Sequence, residues 1–343
     1  MLRVRAVTRS FGAVKALDEV TFEVLPGRLT GFVGANGAGK TTAMRVIMGV
    51  LTPDSGQVIF DGKQVTRETD ARFGYMPEER GLYPKMPVRD HLVFLARLHG
   101  LDKTRAQANA DSLLERLGLA ERAKDAVEKL SLGNQQRAQI AAALVHDPAA
   151  LILDEPFSGL DPMAVDTVMT ALRDFAAKGA PILFSSHQLD VVERITDDLV
   201  VIANGQVKAS GSTTALRDLH AGSRYRITLS PEAPVDWLVG ITGVSAVEIS
   251  QGAGRPSAEP ALAGTAAPDW AAGGRPETGD QTETASRVGA GTGGAASGST
   301  EVSFDATAAT AQTVLRQALS LGPVDGFERV IPSLSEVFRE VIA

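Results

Sequence analysis

Along the first 220 residues, short apolar runs alternate with longer stretches in which apolar residues recur every three or four positions. The runs at 2–7, 21–25, 29–33, 58–60, 151–153, 182–185 and 199–203 predict strands. The periodic stretches at 40–48, 88–98, 104–117, 135–145, 164–177 and 189–195 predict helices. In the second of these, Val88, Leu92, Leu95 and Leu98 fall on one face. Strands that are apolar throughout, separated by helices, predict an α/β architecture around a buried, largely parallel sheet.

Near residue 224 the pattern changes. Strand-like runs at 225–229, 244–249 and 301–304 and helical patterns at 313–321 and 335–342 predict a small α+β domain over 221–343, after a first domain over 1–220. Between about 251 and 300, Gly, Ala, Thr, Ser and Pro dominate. Such a stretch cannot bury enough apolar surface to offset its ordering entropy, so it reads as a disordered insertion, with Trp270 as a solvated aromatic. No internal repeat is visible.

Composition narrows the class. Lys and Arg number 34 against 41 Asp and Glu, a formal charge of −7, which argues against a nucleic-acid partner. There is no cysteine, so disulfides, thiolate metal sites and thiol nucleophiles are excluded. No stretch approaches the roughly 18 apolar residues of a membrane helix, and the first five residues start no signal-peptide run. A soluble chain is expected, and another polypeptide would supply any membrane-spanning part. His91, His99, His146 and His220 show no metal-ligand spacing and read as structural.

Chemistry first surfaces at Gly34-Ala35-Asn36-Gly37-Ala38-Gly39-Lys40-Thr41, followed by Thr42, which satisfies G-x-x-x-x-G-K-[ST] between a predicted strand and a predicted helix. Glycines let consecutive N–H groups turn inward as an anion nest, and the helix N-terminus adds positive potential. Lys40 can reach β- and γ-phosphates, and the Thr41 hydroxyl suits Mg²⁺. Far downstream, the apolar run 149–153 ends in Asp154 and Glu155. Asp154 suits second-sphere coordination of Mg²⁺; Glu155 is placed to orient and deprotonate an attacking water.

Further motifs between and around these two resemble those of the ATP-binding cassette (ABC) ATPases. Leu130-Ser131-Leu132-Gly133-Asn134-Gln135-Gln136-Arg137 resembles the signature L-S-G-G-Q-x-x-R, and Ser158-Gly159-Leu160-Asp161 the D-loop. Ser185-Ser186-His187 resembles the switch histidine at the end of a strand, and Phe11 with residues 12–17 the adenine-stacking loop. The resemblance covers residues 1 to about 220. It implies a P-loop NTPase fold with a mixed, largely parallel core sheet, an antiparallel β subdomain and a helical subdomain at about 80–135, followed here by the small α+β domain. It also implies ATP and Mg²⁺ as ligands, and γ-phosphate contact by His187. Two cassettes would pack head to tail, each ATP lying on one P-loop and closed by Ser131, Gly133 and Asn134 of the other copy, with Asp161 communicating across the interface.

Three positions, in two motifs, depart from the family pattern. Glu78 stands where the family usually has a glutamine that touches Mg²⁺ and the attacking water. Its carboxylate can still ligate Mg²⁺ but adds negative charge near the γ-phosphate. In the signature, Leu132 and Asn134 replace glycine and glutamine, which leaves Ser131 and Gly133 intact.

The ending Pro332-Ser333-Leu334-Ser335-Glu336-Val337-Phe338 resembles that of exporter cassettes of the sodium- and drug-efflux type. The expected function is therefore the ATPase subunit of an ABC transporter, an exporter, peripheral on the cytoplasmic face. It would work as a homodimer with separate permease subunits docked on residues 78–83 and 88–98. The alternatives are a soluble ABC ATPase of DNA repair or the ribosome, against which a single P-loop and the absence of cysteine argue, and a non-hydrolysing regulatory module, against which Glu155 and His187 argue.

Overall fold

The computed structural model describes residues 1–66, 73–79, 81–220, 222–230, 234–251 and 299–342. Arg80, Trp270 and most of the segment read as a disordered insertion lie outside the described residues. The chain divides into two compact units, Met1–Ala221 with Ile331–Ala343, and Gly222–Val330.

The first unit starts with a hairpin, β1 (Leu2–Phe11) and β2 (Val14–Val24). Then β3 (Leu29–Val33) runs into α1 (Lys40–Ile47), and β4 (Ser55–Phe60) and β5 (Lys63–Gln64) complete an antiparallel sheet of order β2-β1-β4-β5. The central sheet adds β6 (Phe73–Met76), β7 (Ala150–Leu153), β8 (Ile182–Ser186), β9 (Asp198–Ala203) and β10 (Gln206–Ser212), in the order β10-β9-β3-β8-β7-β6. All its neighbours are parallel except β10 and β9. The mixed fold class expected from the motifs is thus observed.

Why these strands are apolar throughout is visible in β7 and β8. Successive side chains point to opposite faces, and both faces are covered. Leu151, Leu153, Ile182 and Phe184 enter the core under the helices. Ile152 and Leu183 enter the core shared with the antiparallel sheet, where Phe22 and Phe32 meet with ring centroids 5.2 Å apart.

The helical region holds α2 (Val88–Leu98), α3 (Lys103–Arg116), two single 3₁₀ turns and α4 (Leu132–Leu144). Two expectations are corrected here. Leu98 is exposed, and the buried stripe of α2 runs through Val88, His91, Leu92 and Ala96. Helix α4 begins at Leu132, three residues before the expected start, because Ser131 caps it: its Oγ accepts the Asn134 N–H at 3.4 Å.

Helices α5 (Pro162–Ala176), α6 (Leu189–Ile195) and α7 (Thr213–His220) follow. The second unit is a sheet of β11 (Arg224–Leu229), β12 (Val244–Gln251), β13 (Thr300–Ala306) and β14 (Val324–Arg329), in the order β12-β13-β11-β14, with α8 (Ala308–Leu321) between β13 and β14. Its last expected helix, α9 (Leu334–Ile342), clusters instead with the first unit. There Leu334 is fully buried in the main core, and its N–H donates to Glu193 of α6 at 3.1 Å. Ser333 and Glu336 form a capping box at its start, Ser333 N to Glu336 Oε2 at 2.8 Å.

Candidate functional site: a phosphate cleft at the end of the central sheet

The loop from Gly34 to Gly39 joins β3 to α1 and needs glycine for two reasons. A Cβ on Gly34 would lie 2.4 Å from the Ile202 carbonyl oxygen. Gly39 has φ +107° and would meet Ala16 O at 2.6 Å. Inside the loop, Ala38 N–H donates to Ala35 O at 3.1 Å. Lys40 is buried, and its Nζ donates to Gly34 O at 2.8 Å and Ala35 O at 3.3 Å. Among the described residues it has no carboxylate partner. A buried ammonium held only by carbonyls keeps its charge uncompensated and attracts an anion.

The carboxylates arrive from β7. Asp154 is buried at the strand tip, and its N–H donates to Met76 O at 2.8 Å. Its Oδ2 accepts Thr41 Oγ1–H at 2.8 Å, and its Oδ1 accepts Ser185 Oγ–H at 2.5 Å. The same Ser185 Oγ accepts the Glu155 N–H at 2.9 Å. Glu155 has φ +53°, a left-handed conformation that costs a non-glycine residue about 1–3 kcal/mol. Its Oε1 lies 3.0 Å from His187 Nδ1. A cleft of about 280 Å³ is lined by Asn36, Gly37, Gly39, Lys40, Thr41, Thr42, Glu78, Asp154 and Glu155, with Ala16. Residues more than a hundred positions apart thus gather because β3, β7 and β8 are parallel neighbours and all open to their C-terminal ends.

Residues 17–158 match the family described as ABC transporter. YhaQ of Bacillus subtilis (strain 168), an uncharacterized ABC transporter ATP-binding protein, is 39% identical over 252 residues, 71% of this chain and 85% of YhaQ. The chain belongs to the ABC transporter ATP-binding proteins. The daunorubicin resistance ATP-binding protein DrrA3 of Streptomyces coeruleorubidus is 33% identical over 251 residues, 72% of this chain and 79% of DrrA3. The solved structure of an ATP-binding subunit of an ABC transporter superposes with a TM-score of 0.60 at 32% identity, covering 64% of this chain and 93% of that one. This cassette is accordingly an ABC ATPase, the nucleotide-binding subunit of a transporter.

Not every residue singled out in the sequence gathers at the cleft. Ser131, Gly133 and Asn134 lie at the start of α4, outside its lining, and Asn134 Oδ1 pairs with Arg137 of its own helix. The exposed Leu132 side chain begins a helix there without strain. A Cβ on Gly133 would lie 3.6 Å from Gly159 O, so the signature and D-loop turns adjoin. Asp161 caps α5, accepting the Ala164 N–H at 2.8 Å. Phe11 is half exposed beside Arg9, whose guanidinium carbon is 5.1 Å from the ring centroid.

Three side chains make contacts that the motifs assign no role: Ser185 and Gln136 stand inside the quoted motifs, and Gln139 lies outside them. Ser185 bridges Asp154 and Glu155, and Gln136 and Gln139 of α4 reach the backbone around the acidic residues. The available signal was polar residues at i and i+3 on a helix whose other buried positions are mostly Ala, Ile and Leu.

Proposed function

We propose that this cassette binds ATP at the Gly34–Thr42 loop, hydrolyses it with Glu155 as general base, and uses the cycle to drive export through separate membrane permease subunits. The observation that carries the reading is a single cleft lined by Lys40, Thr41, Glu78, Asp154 and Glu155. Lys40 and the loop N–H groups take the β- and γ-phosphates. Thr41, Glu78 and Asp154 bring a hydroxyl and two carboxylates to that cleft, the hard oxygen donors that suit Mg²⁺. Bound there, Mg²⁺ would neutralise charge on the phosphates. Glu155 takes a proton from a water whose oxygen bonds to the γ-phosphorus; the bond to the bridging oxygen breaks, giving ADP and inorganic phosphate. His187, 3.0 Å from Glu155, holds that carboxylate in place and faces the γ-phosphate.

Ser131, Gly133 and Asn134 lie outside the cleft of their own chain, which leaves them to close the nucleotide of a second copy packed head to tail. Asp161 would lie at that interface and Phe11 would stack on adenine. Tyr83, Phe94 and Leu98 are large, apolar and exposed in the helical region, a surface suited to a permease. No helix among the described residues is long and apolar enough to cross a membrane, in keeping with a subunit placed peripherally on the cytoplasmic face. The likeness to the Nod factor export ATP-binding protein I of Paraburkholderia xenovorans (strain LB400), 37% identical over 213 residues, supports export. Size-exclusion chromatography of Glu155→Gln with Mg-ATP tests the head-to-tail arrangement. A dimer that reverts to monomer without nucleotide is expected, and a monomer throughout contradicts it.

A further inference from the structure

Helix α4 buries two amides among its small and apolar side chains: Gln136 and Gln139 are each 4% exposed. Three residues apart, they share one face of the helix. Gln136 Nε2 donates to the backbone carbonyl of Glu155 at 2.9 Å. Gln139 Nε2 donates to the carbonyls of Pro77 at 2.9 Å and Glu79 at 3.0 Å, the two residues that flank Glu78. One helix therefore grips, by the backbone, both stretches that carry cleft carboxylates.

Stability is a poor reason for this arrangement. Gln139 Oε1 is buried with no hydrogen-bond partner among the described residues, a cost that an apolar side chain of the same size would avoid. Geometry supplies a better one. Glu155 sits at φ +53° and needs restraint on both sides to stay there. Ser185 Oγ holds its N–H side; its carbonyl side is held by Gln136 Nε2 at 2.9 Å and, at a longer 3.2 Å, by the Ser158 N–H. Without Gln136 that carbonyl keeps only the longer bond from the Ser158 N–H, and the peptide after Glu155 is freer to turn and carry the carboxylate with it.

We infer that Gln136 and Gln139 are positioning residues of the hydrolytic site, through which α4 fixes where the Glu155 and Glu78 carboxylates stand. The inference rests on the reading of Glu155 as general base. It also gives the head-to-tail pair a route for communication. The helix that opens at Ser131, the turn assigned to the second copy's ATP, is bonded through Gln136 and Gln139 to backbone carbonyls of the stretches that carry the carboxylates of its own cleft.

The test is steady-state phosphate release by the full chain, with kcat and KM separated and the unfolding temperature followed beside them. Gln136→Met keeps length and loses the donor. Its kcat falls about 10- to 100-fold, the scale of a small misplacement of a reacting group, while KM stays within threefold and the unfolding temperature holds. If Gln136→Met does not fold, Gln136→Asn, whose shorter amide cannot reach, decides on the same criteria. Gln139→Glu adds a readout that packing would not move. Its protonated carboxyl can donate to Pro77 or Glu79 and its anion cannot, so its activity relative to the parent chain rises as pH falls from 8 to 6. A kcat within twofold for Gln136→Met, or a pH-independent activity ratio for Gln139→Glu, overturns the inference. Glu155→Gln is assayed in parallel. If it loses turnover while Gln136→Met does not, only the positioning role fails; if it keeps turnover, the reading of the site fails as well.

Discussion

The two units of this chain bury different things. In the first, Thr30, Lys40, His91, Gln136, Gln139, His146, Asp154, Ser185, Ser186 and Thr213 lie inside with the apolar core. In Gly222–Val330 the described buried side chains are all apolar, Ile227, Leu229, Val302 and Phe304 among them. Its charges pair at the surface instead, Arg224 with Glu248 and Arg226 with Glu328. Exposed pairs of this kind add little stability, whereas a buried polar group costs free energy unless its partners are placed for it. The first unit carries part of that cost at Lys40, Asp154 and Ser185, where β3, β7 and β8 meet the Gly34–Thr42 loop, and part at His91, His146 and Thr213 away from it. The contrast marks where polar groups gather: Lys40, Asp154 and Ser185 lie inside at or beside the proposed nucleotide cleft, and the other unit keeps an ordinary hydrophobic core.

The largest effect that can break this contrast is in the apolar core. Phe304 is fully buried between Tyr225 and α8 in the second unit's cluster. Phe304→Ala is expected to destabilise that unit by about 3–5 kcal/mol. Trp237 packs against that cluster and the first unit holds no tryptophan, so tryptophan fluorescence reports the unfolding of the second unit. Phosphate release should change less than threefold, because no cleft group is touched; a loss as large as that of a cleft variant would erase the distinction.

The next effect sharpens it through pH. Burial, with His99 stacked on it at 3.8 Å, lowers His146 from 6.5 to about 4. His91 is lowered by burial too. The unfolded chain takes up the His146 proton near its ordinary pKa and the folded chain does so only near 4. That share of stability is therefore complete above the ordinary value and is lost as pH falls from 6.5 to 4, by up to about 3 kcal/mol. Denaturant unfolding of the first unit across this range should show the loss, and His146→Gln should remove this histidine's share. The second unit contains no histidine, so its fluorescence transition lacks the effect. An unchanged slope in His146→Gln would refute the assignment.

The smallest effect concerns charge in the cleft. Glu78→Gln removes one negative charge from its lining, and kcat is expected to hold or rise by no more than about threefold. A hundredfold loss would show that the carboxylate itself is required.

Much of this was legible beforehand where local pattern and local structure coincide. The phosphate loop, the acidic strand end and the two-faced apolar strands are each specified within a few residues. The start of α4 was misjudged because Leu132-Gly133-Asn134 resembles a loop until Ser131 is recognised as its cap. Strand β6 was missed because it is four residues long and contains Gly74, whose Cβ would lie 2.1 Å from Ala143 O. Helix α9 was expected, but its amphipathic pattern does not say which unit receives Leu334. Gln136 was not assigned because the carbonyl it serves is 19 residues away and needs a donor only in the folded chain.

The central claim is that Glu155 removes the proton from water at a cleft whose phosphate grip depends on other groups. Phosphate release by Glu155→Gln, measured beside its affinity for ATP, tests this most directly. We expect turnover to fall by at least about 100-fold while the dissociation constant stays within a fewfold of the parent chain. Turnover preserved, or affinity lost in step with it, would contradict the account.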